Sequence, residues 1–145
     1  MPLSALSMAP AEQTALLDTL SQALREFLAS PLRNIHLNVG PVRLYLRKSV
    51  RGFHLDSPPR RVHTLDIGSI DIEPTYQAQG LGAAVLARLH TDNPVEATLV
   101  ESVSNPNLVR LLNRMGWLRA TTCEFAPNFI RLTGREGKHD GVWYR

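Results

Sequence analysis

The spacing of hydrophobic residues changes twice in the first half of the chain. Apolar residues recur at the spacing of one helical face at Leu16, Leu17, Leu20, Leu24, Phe27 and Leu28. This pattern predicts a helix over about 10–29, and Pro10 suits its first turn. From 35 to 39 and from 42 to 46 the period is two, which predicts two strands joined by a tight turn at Gly40-Pro41.

The second half alternates strand-like and helix-like patterns. Residues 62–73 are predicted to form a strand in which the apolar residues change from odd to even positions. Leu65 and Ile67 are odd-numbered, whereas Ile70 and Ile72 are even-numbered. A bulge near Gly68-Ser69 would reconcile the two phases. We predict further helices over 80–90 and 106–116, a strand over 97–103, and strands over about 117–121 and 124–132. In 145 residues this is one α/β domain.

Two glycines stand where the strand ending near Glu73 passes into a helix, in Tyr76-Gln77-Ala78-Gln79-Gly80-Leu81-Gly82. Glycine allows a ligand to approach the backbone closely, and the first amides of a helix attract anions, above all phosphate. A tight turn without a ligand would also explain the glycines. The stretch is neither a P-loop nor a dinucleotide-binding fingerprint, since both need further residues that are absent.

The run from Ile70 to Gly82 resembles the acyl-CoA signature of the GCN5-related N-acetyltransferase (GNAT) superfamily. In that signature an apolar strand, a proline and an aromatic residue precede Gln/Arg-x-x-Gly-x-Gly/Ala, and here Gln77, Gly80 and Gly82 fill the three defining positions. A second segment agrees with the family, since an asparagine, a short helix and a Gly-aromatic pair occur at matching spacings. Its residues are Asn105, Leu108, Gly116 and Trp117. The resemblance covers about residues 62–120.

The resemblance implies a twisted mixed β-sheet flanked by helices, with an acyl-CoA core at about 62–120 and C-terminal strands at about 117–145. It implies transfer of an acetyl group from acetyl-CoA to an amine by direct attack. The cofactor would also be bound by Gln77, Ala78, Gln79, Gly80, Leu81, Gly82 and Ala83, with the amides around Gln79 to Ala83 holding the pyrophosphate of coenzyme A. Ile70 and Ile72 would contact its pantetheine arm through their backbone. Asn105 would reach the cofactor or cap the helix that begins at Pro106, and the two roles are compatible.

The catalytic groups are less clearly marked. Many members of the family place a tyrosine, the general acid, where this chain has Leu112, which cannot donate a proton. An amine reacts only when neutral, so a nearby base helps. Glu73, at the end of the motif strand, and Glu101, within an apolar strand, are the candidates. A salt bridge with a neighbouring arginine, or an exposed strand face, would equally explain Glu101.

Composition narrows the class of protein. Hydrophobic residues make up 43% and charged residues 20%, which is typical of a globular domain. No apolar run is long enough to span a membrane, so we expect a cytoplasmic location. Cys123 is the only cysteine, so an internal disulfide is excluded, and the histidine spacing favours no metal site.

The charge leaves a second hypothesis open. The net charge is +3, and basic residues cluster at Arg47, Lys48, Arg51, Arg60 and Arg61. These could form a basic surface of a binding module that recognises nucleic acid or a protein partner. A third reading is an acyltransferase that modifies a nucleic-acid base or another nucleophile. The pattern does not define the acceptor, which could be a small molecule, peptide or protein, and it is compatible with a homodimer through strands around Phe125 to Leu132.

Overall fold

The first described element is the long amphipathic helix that the leucine spacing predicts. The computed structural model describes residues 8–53, 60–77, 80–101, 103–119 and 128–135. Helix α1 spans Pro10–Ala29 and buries Leu20, Leu24 and Phe27. Its bounds confirm the prediction, because the proline fits the first turn and the apolar stripe runs to the end of the helix.

Three antiparallel strands follow, as the alternating pattern indicates. Strand β1 (Asn34–Val39) pairs with β2 (Val42–Phe53) across the turn at Gly40, whose φ of 55° favours glycine. Strand β2 pairs with β3 (Arg60–Ile72), with Tyr45 opposite Ser69 and Leu46 opposite Ile67. One residue of β3, Gly68, is therefore extra. The predicted bulge is confirmed, and it brings the apolar residues on both sides of it to the same face of the sheet.

The rest of the described chain completes one mixed sheet. Its elements are α2 (Pro74–Gln77), α3 (Leu81–Asp92), β4 (Ala97–Val100), α4 (Pro106–Arg114), β5 (Leu118–Arg119) and β6 (Phe129–Leu132). The strand order is β1-β2-β3-β4-β6-β5, and only the β3–β4 pair is parallel among the described pairs. The α/β class and the mixed sheet are thus as predicted.

Two local predictions were wrong. The strand expected over 97–103 ends at Val100, because the backbone leaves β3 after one last hydrogen bond from the Glu101 amide to the Ile67 carbonyl, at 3.0 Å. The loop after β3 contains the short helix α2, which the sequence pattern did not indicate. Strands β5 and β6 fall within the strands predicted over about 117–121 and 124–132, and residues 120–127 of that prediction lie outside the described residues.

The main core lies between the sheet and the pair α1 and α3. Leu65 and Ile67 of β3 are buried there together with Leu86 and Leu89 of α3. Polar contacts also join the helices: Ser21 donates to Asp92 at 2.5 Å, and Arg88 donates to both Asp18 and Ser21 at 3.1 Å. The opposite face of the sheet carries a smaller apolar cluster and several charged side chains. None of the described helices has the length and apolar character needed to cross a membrane.

Candidate functional site

A cavity of about 840 Å³ opens beside the end of β3, between the first turn of α3 and one face of α4. Its volume falls in the range of roughly 300–1,000 Å³ that is typical of small-molecule sites. The cavity brings together seven of the residues named from the sequence as cofactor contacts. These are Ile70, Ile72, Gln77, Gly80, Gly82, Ala83 and Asn105.

The cavity exists because two parallel strands separate. Strands β3 and β4 pair from Thr64 with Ala97 to Ile67 with Val100, and the Glu101 amide makes the last bond. Beyond this fork the described part of β3 pairs with β2 alone. One carbonyl of the free stretch is held by a side chain, since Gln77 Nε2 donates to the Ile72 carbonyl at 2.7 Å. Gln77 therefore shapes the cavity wall by fixing the strand end.

The first turn of α3 supplies backbone donors. Gly80 has a φ of 75° and precedes the helix, and the first intrahelical bond runs from the Ala84 amide to the Gly80 carbonyl at 3.1 Å. Among the described residues, the amides of Leu81, Gly82 and Ala83 have no acceptor in the preceding turn, and the first amides of a helix can bind an anion at its positive end. The Leu81 side chain is buried in the core, which leaves only its amide for a ligand. Ala78 and Gln79 lie outside the described residues.

Gly82 leaves limited space. A β-carbon at this position would lie 3.5 Å from Ile72 Cδ1 and 3.8 Å from Leu111 Cδ2, which are ordinary van der Waals contacts. A single methyl group therefore fits, whereas a large side chain would have to fill the cavity itself.

Helix α4 provides residues that the sequence analysis missed. Asn105 caps this helix by accepting from the Asn107 amide at 2.9 Å, which confirms the capping role. Arg110 and Arg114 line the cavity from the same helix. They are four residues apart, so they share a face, and this spacing after a predicted cap is the signal that could have found them. Their positive charges suit a phosphorylated ligand.

The two candidate catalytic carboxylates do not line the cavity. Glu73 is exposed just after β3, and its amide donates to the Pro41 carbonyl at 3.0 Å. Glu101 stands at the fork, is 19% exposed, and is ion-paired with Arg47 and with Arg51, the latter at 3.2 Å. The salt bridge that we considered for Glu101 is thus present. Glu101 is therefore engaged by two guanidinium groups and faces them rather than the cavity.

Leu112 is fully buried in the core formed by α4, α3 and the sheet. The position that carries a tyrosine in many GNAT proteins is therefore a packing position in this chain.

The basic residues named from the sequence do not form one surface. Lys48 is 6% exposed and lies on the helix-covered face, where its Nζ donates to the Ser30 carbonyl at 2.7 Å and sits 4.7 Å from the centre of the Phe27 ring. Burial lowers the pKa of Lys48. Arg47 and Arg51 lie on the opposite face and are ion-paired. The side chain of Arg60 is outside the described set. The proposed basic surface is thus divided between two faces and partly neutralised.

Comparison with known proteins shows that the fold of this chain is similar to the folds of several solved structures. No family model matches the sequence, and no curated protein is significantly similar to it. Among solved structures, AtaT complexed with acetyl-methionyl-tRNAfMet is 15% identical with a TM-score of 0.56, over 77% of this chain and 82% of that one. A mutant of KacT is 17% identical with a TM-score of 0.52 over the same shares. A mutant of the AtaT toxin is 18% identical with a TM-score of 0.52, and there the match covers 63% of this chain and only 58% of that one.

Proposed function

Because the chain has the fold of the GCN5-related N-acetyltransferases, we propose that it is an acetyl-CoA-dependent N-acetyltransferase whose acceptor is an amine. One observation carries this proposal. The cavity at the fork between β3 and β4 combines an apolar strand end, the first turn of a helix, and two arginines. An acyl-CoA molecule has an extended arm of low charge and an anionic phosphate end, so these three features match its chemistry.

The proposed arrangement assigns each part of the cofactor to a different part of the cavity. The backbone of Ile70 and Ile72 would lie along the pantetheine arm. The amides of Gly82 and Ala83 would bind the pyrophosphate, since the helix end favours negative charge. Arg110 and Arg114 would neutralise the phosphates from the other wall.

Acetyl-CoA would supply an acetyl group already activated as a thioester, so that direct attack by an amine needs positioning and proton removal. The fork would position the reacting atoms, because both strands are fixed on its closed side. Glu73, which is exposed, is the better placed of the two carboxylates to accept a proton, since Glu101 is engaged by arginines. Leu112 cannot serve as the general acid.

The binding-module hypothesis has less support from the described residues, since Lys48 is buried on one face of the sheet and Arg47 and Arg51 are ion-paired on the other. Transfer to another nucleophile would use the same cavity, and product analysis separates it from amine acetylation.

The proposal is tested by calorimetric titration of acetyl-CoA and CoA into the wild type, Gly82→Trp and Gly82→Ala. The alanine methyl group fits beside Ile72 and Leu111, so we expect its Kd within about 3-fold of wild type. The indole would occupy the cavity, and we expect a loss of at least about 100-fold, or roughly 2.7 kcal/mol. Circular dichroism checks that both variants are folded. A folded wild type that binds neither compound would refute the proposal.

A further inference from the structure

Four charged residues form a cluster at the fork, on the face of the sheet opposite α1 and α3. We call Arg47, Arg51, Asp66 and Glu101 the fork cluster. Arg47 is directly opposite Asp66 in the β2–β3 register, and Glu101 is the residue that makes the last β3–β4 bond. Ile70, whose backbone we place beside the cofactor, is only three residues beyond Ile67, or about 10 Å of extended strand. The fork cluster therefore adjoins the point where transfer would occur.

Asp66 fixes one side of the cluster. Its carboxylate is completely buried and accepts from Ser49 Oγ at 2.6 Å and Thr64 Oγ1 at 2.6 Å. Arg51 donates to the same carboxylate through Nε at 3.0 Å and Nη2 at 2.8 Å. Asp66 thus has a full set of donors without Arg47, whose Nε is 3.8 Å away.

Glu101 is held differently. It is partly exposed, and it contacts Arg47 and Arg51 through one carboxylate oxygen. The two arginine side chains are 31% and 32% exposed. A guanidinium group carries five N–H donors. Within the described residues, Arg47 uses Nη2 for Glu101 and leaves its Nη1 donors for an acceptor atom from outside.

Aromatic rings extend the surface next to the cluster. The Tyr45 ring lies over Gly68, where a β-carbon would be only 2.6 Å from Tyr45 Cδ2. The Arg47 guanidinium lies 5.5 Å from the centre of the Tyr45 ring, and the centre of the exposed His36 ring lies 4.5 Å from the centre of the same tyrosine ring. The bulge glycine therefore allows a ring and a guanidinium to flank the fork.

We propose that Arg47 and Arg51 bind an oxyanion of the acceptor, a carboxylate or a phosphate, and that Glu101 is the ion-pair partner of both guanidinium groups in the free protein. This inference rests on the proposed function, since it names the chemistry of the amine that the enzyme would take. Asp66 holds Arg51 in place, and Arg47 is the specificity-determining residue. The acceptor's anion would take the place of Glu101 beside the two arginines, and the displaced Glu101 carboxylate would turn toward solvent from a side chain that is already 19% exposed.

The test uses two pairs of amines, each an anionic amine and its counterpart without the anionic group. The pairs are O-phosphoethanolamine with ethanolamine and β-alanine with β-alaninamide. Each amine is titrated into the CoA-saturated protein, and binding is followed by NMR. Saturation keeps the phosphate probe out of the cavity at Arg110 and Arg114. We expect at least one anionic probe to bind about 10-fold more tightly than its partner, and the pair identifies phosphate or carboxylate as the preferred group. Arg47→Gln should reduce that preference to under about 3-fold, and Glu101→Gln should tighten anion binding about 3-fold or more, because the internal competitor is gone.

The matched control is Arg61→Gln, which removes the same charge from an exposed arginine outside the fork cluster and should leave the preference intact. Equal binding of both members of each pair by the wild type, no binding of any probe, or equal effects of Arg47→Gln and Arg61→Gln would each overturn the inference. A wild type that does not bind CoA would instead refute the proposed function, and the calorimetric titration of CoA shows this independently of the amine probes.

Discussion

Replacement of Asp66 by asparagine tests whether this buried carboxylate is the anchor of the fork cluster. The side chain is fully buried and accepts four hydrogen bonds, two of them from Arg51. Asparagine has nearly the same shape, so the substitution removes the charge without opening a cavity. It also directs an amide NH₂ group toward donors, which leaves some of them without an acceptor.

The magnitude follows from the exposure of the partners. Removing one member of a buried ion pair destabilises a protein by about 3–5 kcal/mol. Arg51 is 32% exposed and keeps Glu101 at 3.2 Å, so its charge is not left uncompensated. We therefore expect about 2–3 kcal/mol, which corresponds to a midpoint shift of roughly 1 M urea for a domain of this size.

The assay is urea denaturation followed by circular dichroism, with Glu101→Gln as the matched control. Glu101 loses the same charge, but its ion pairs are partly exposed and screened, so we expect a destabilisation of no more than about 1 kcal/mol. The reasoning fails if Asp66→Asn lowers the unfolding free energy by less than about 1 kcal/mol. It also fails if the two variants are equally destabilised, since the two carboxylates would then have the same role.

Two further predictions concern α4 and α3. Asn105→Ala should lower the unfolding free energy by about 1 kcal/mol, because the hydrogen bond from the Asn107 amide is lost, whereas Asn105→Ser should keep the cap. Thermal unfolding compares the two variants, and equal midpoint temperatures would contradict the capping role. Burial, and then the charges of Arg131 and Arg135, lower the pKa of His90 below its ordinary value of 6.5. The unfolded chain then binds a proton that the folded chain does not, so stability should fall as the pH drops below about 6.5. His90→Gln should make that fall smaller in urea titrations at several pH values, and an unchanged pH dependence would exclude His90 as its source.

Local pattern determined much of the fold. The helical stripe from Leu16 to Phe27 and the alternation in β1 predicted elements close to those observed, because the spacing of apolar residues shows which face is buried. The alternation also located the start of β2, but this strand continues to Phe53, well beyond the predicted end at residue 46. The phase slip located the bulge at Gly68, since period-two alternation fails wherever a strand contains an extra residue. The two glycines and their spacing also placed one wall of the cavity correctly.

The tertiary structure decided what the charged residues do. Arg47, Lys48 and Arg51 are close in sequence, yet strand alternation puts the lysine on one face and the arginines on the other. Whether Glu101 could act as a base depended on partners from β2 that are some fifty residues away in the chain, and no local pattern contains that pairing. Arg110 and Arg114 became cavity residues only because α4 packs opposite the start of α3. The sequence by itself determined which segments form strands and helices, because those depend on neighbours along the chain. The roles of the charged residues depend on partners from distant segments, which only the register of the sheet brings together.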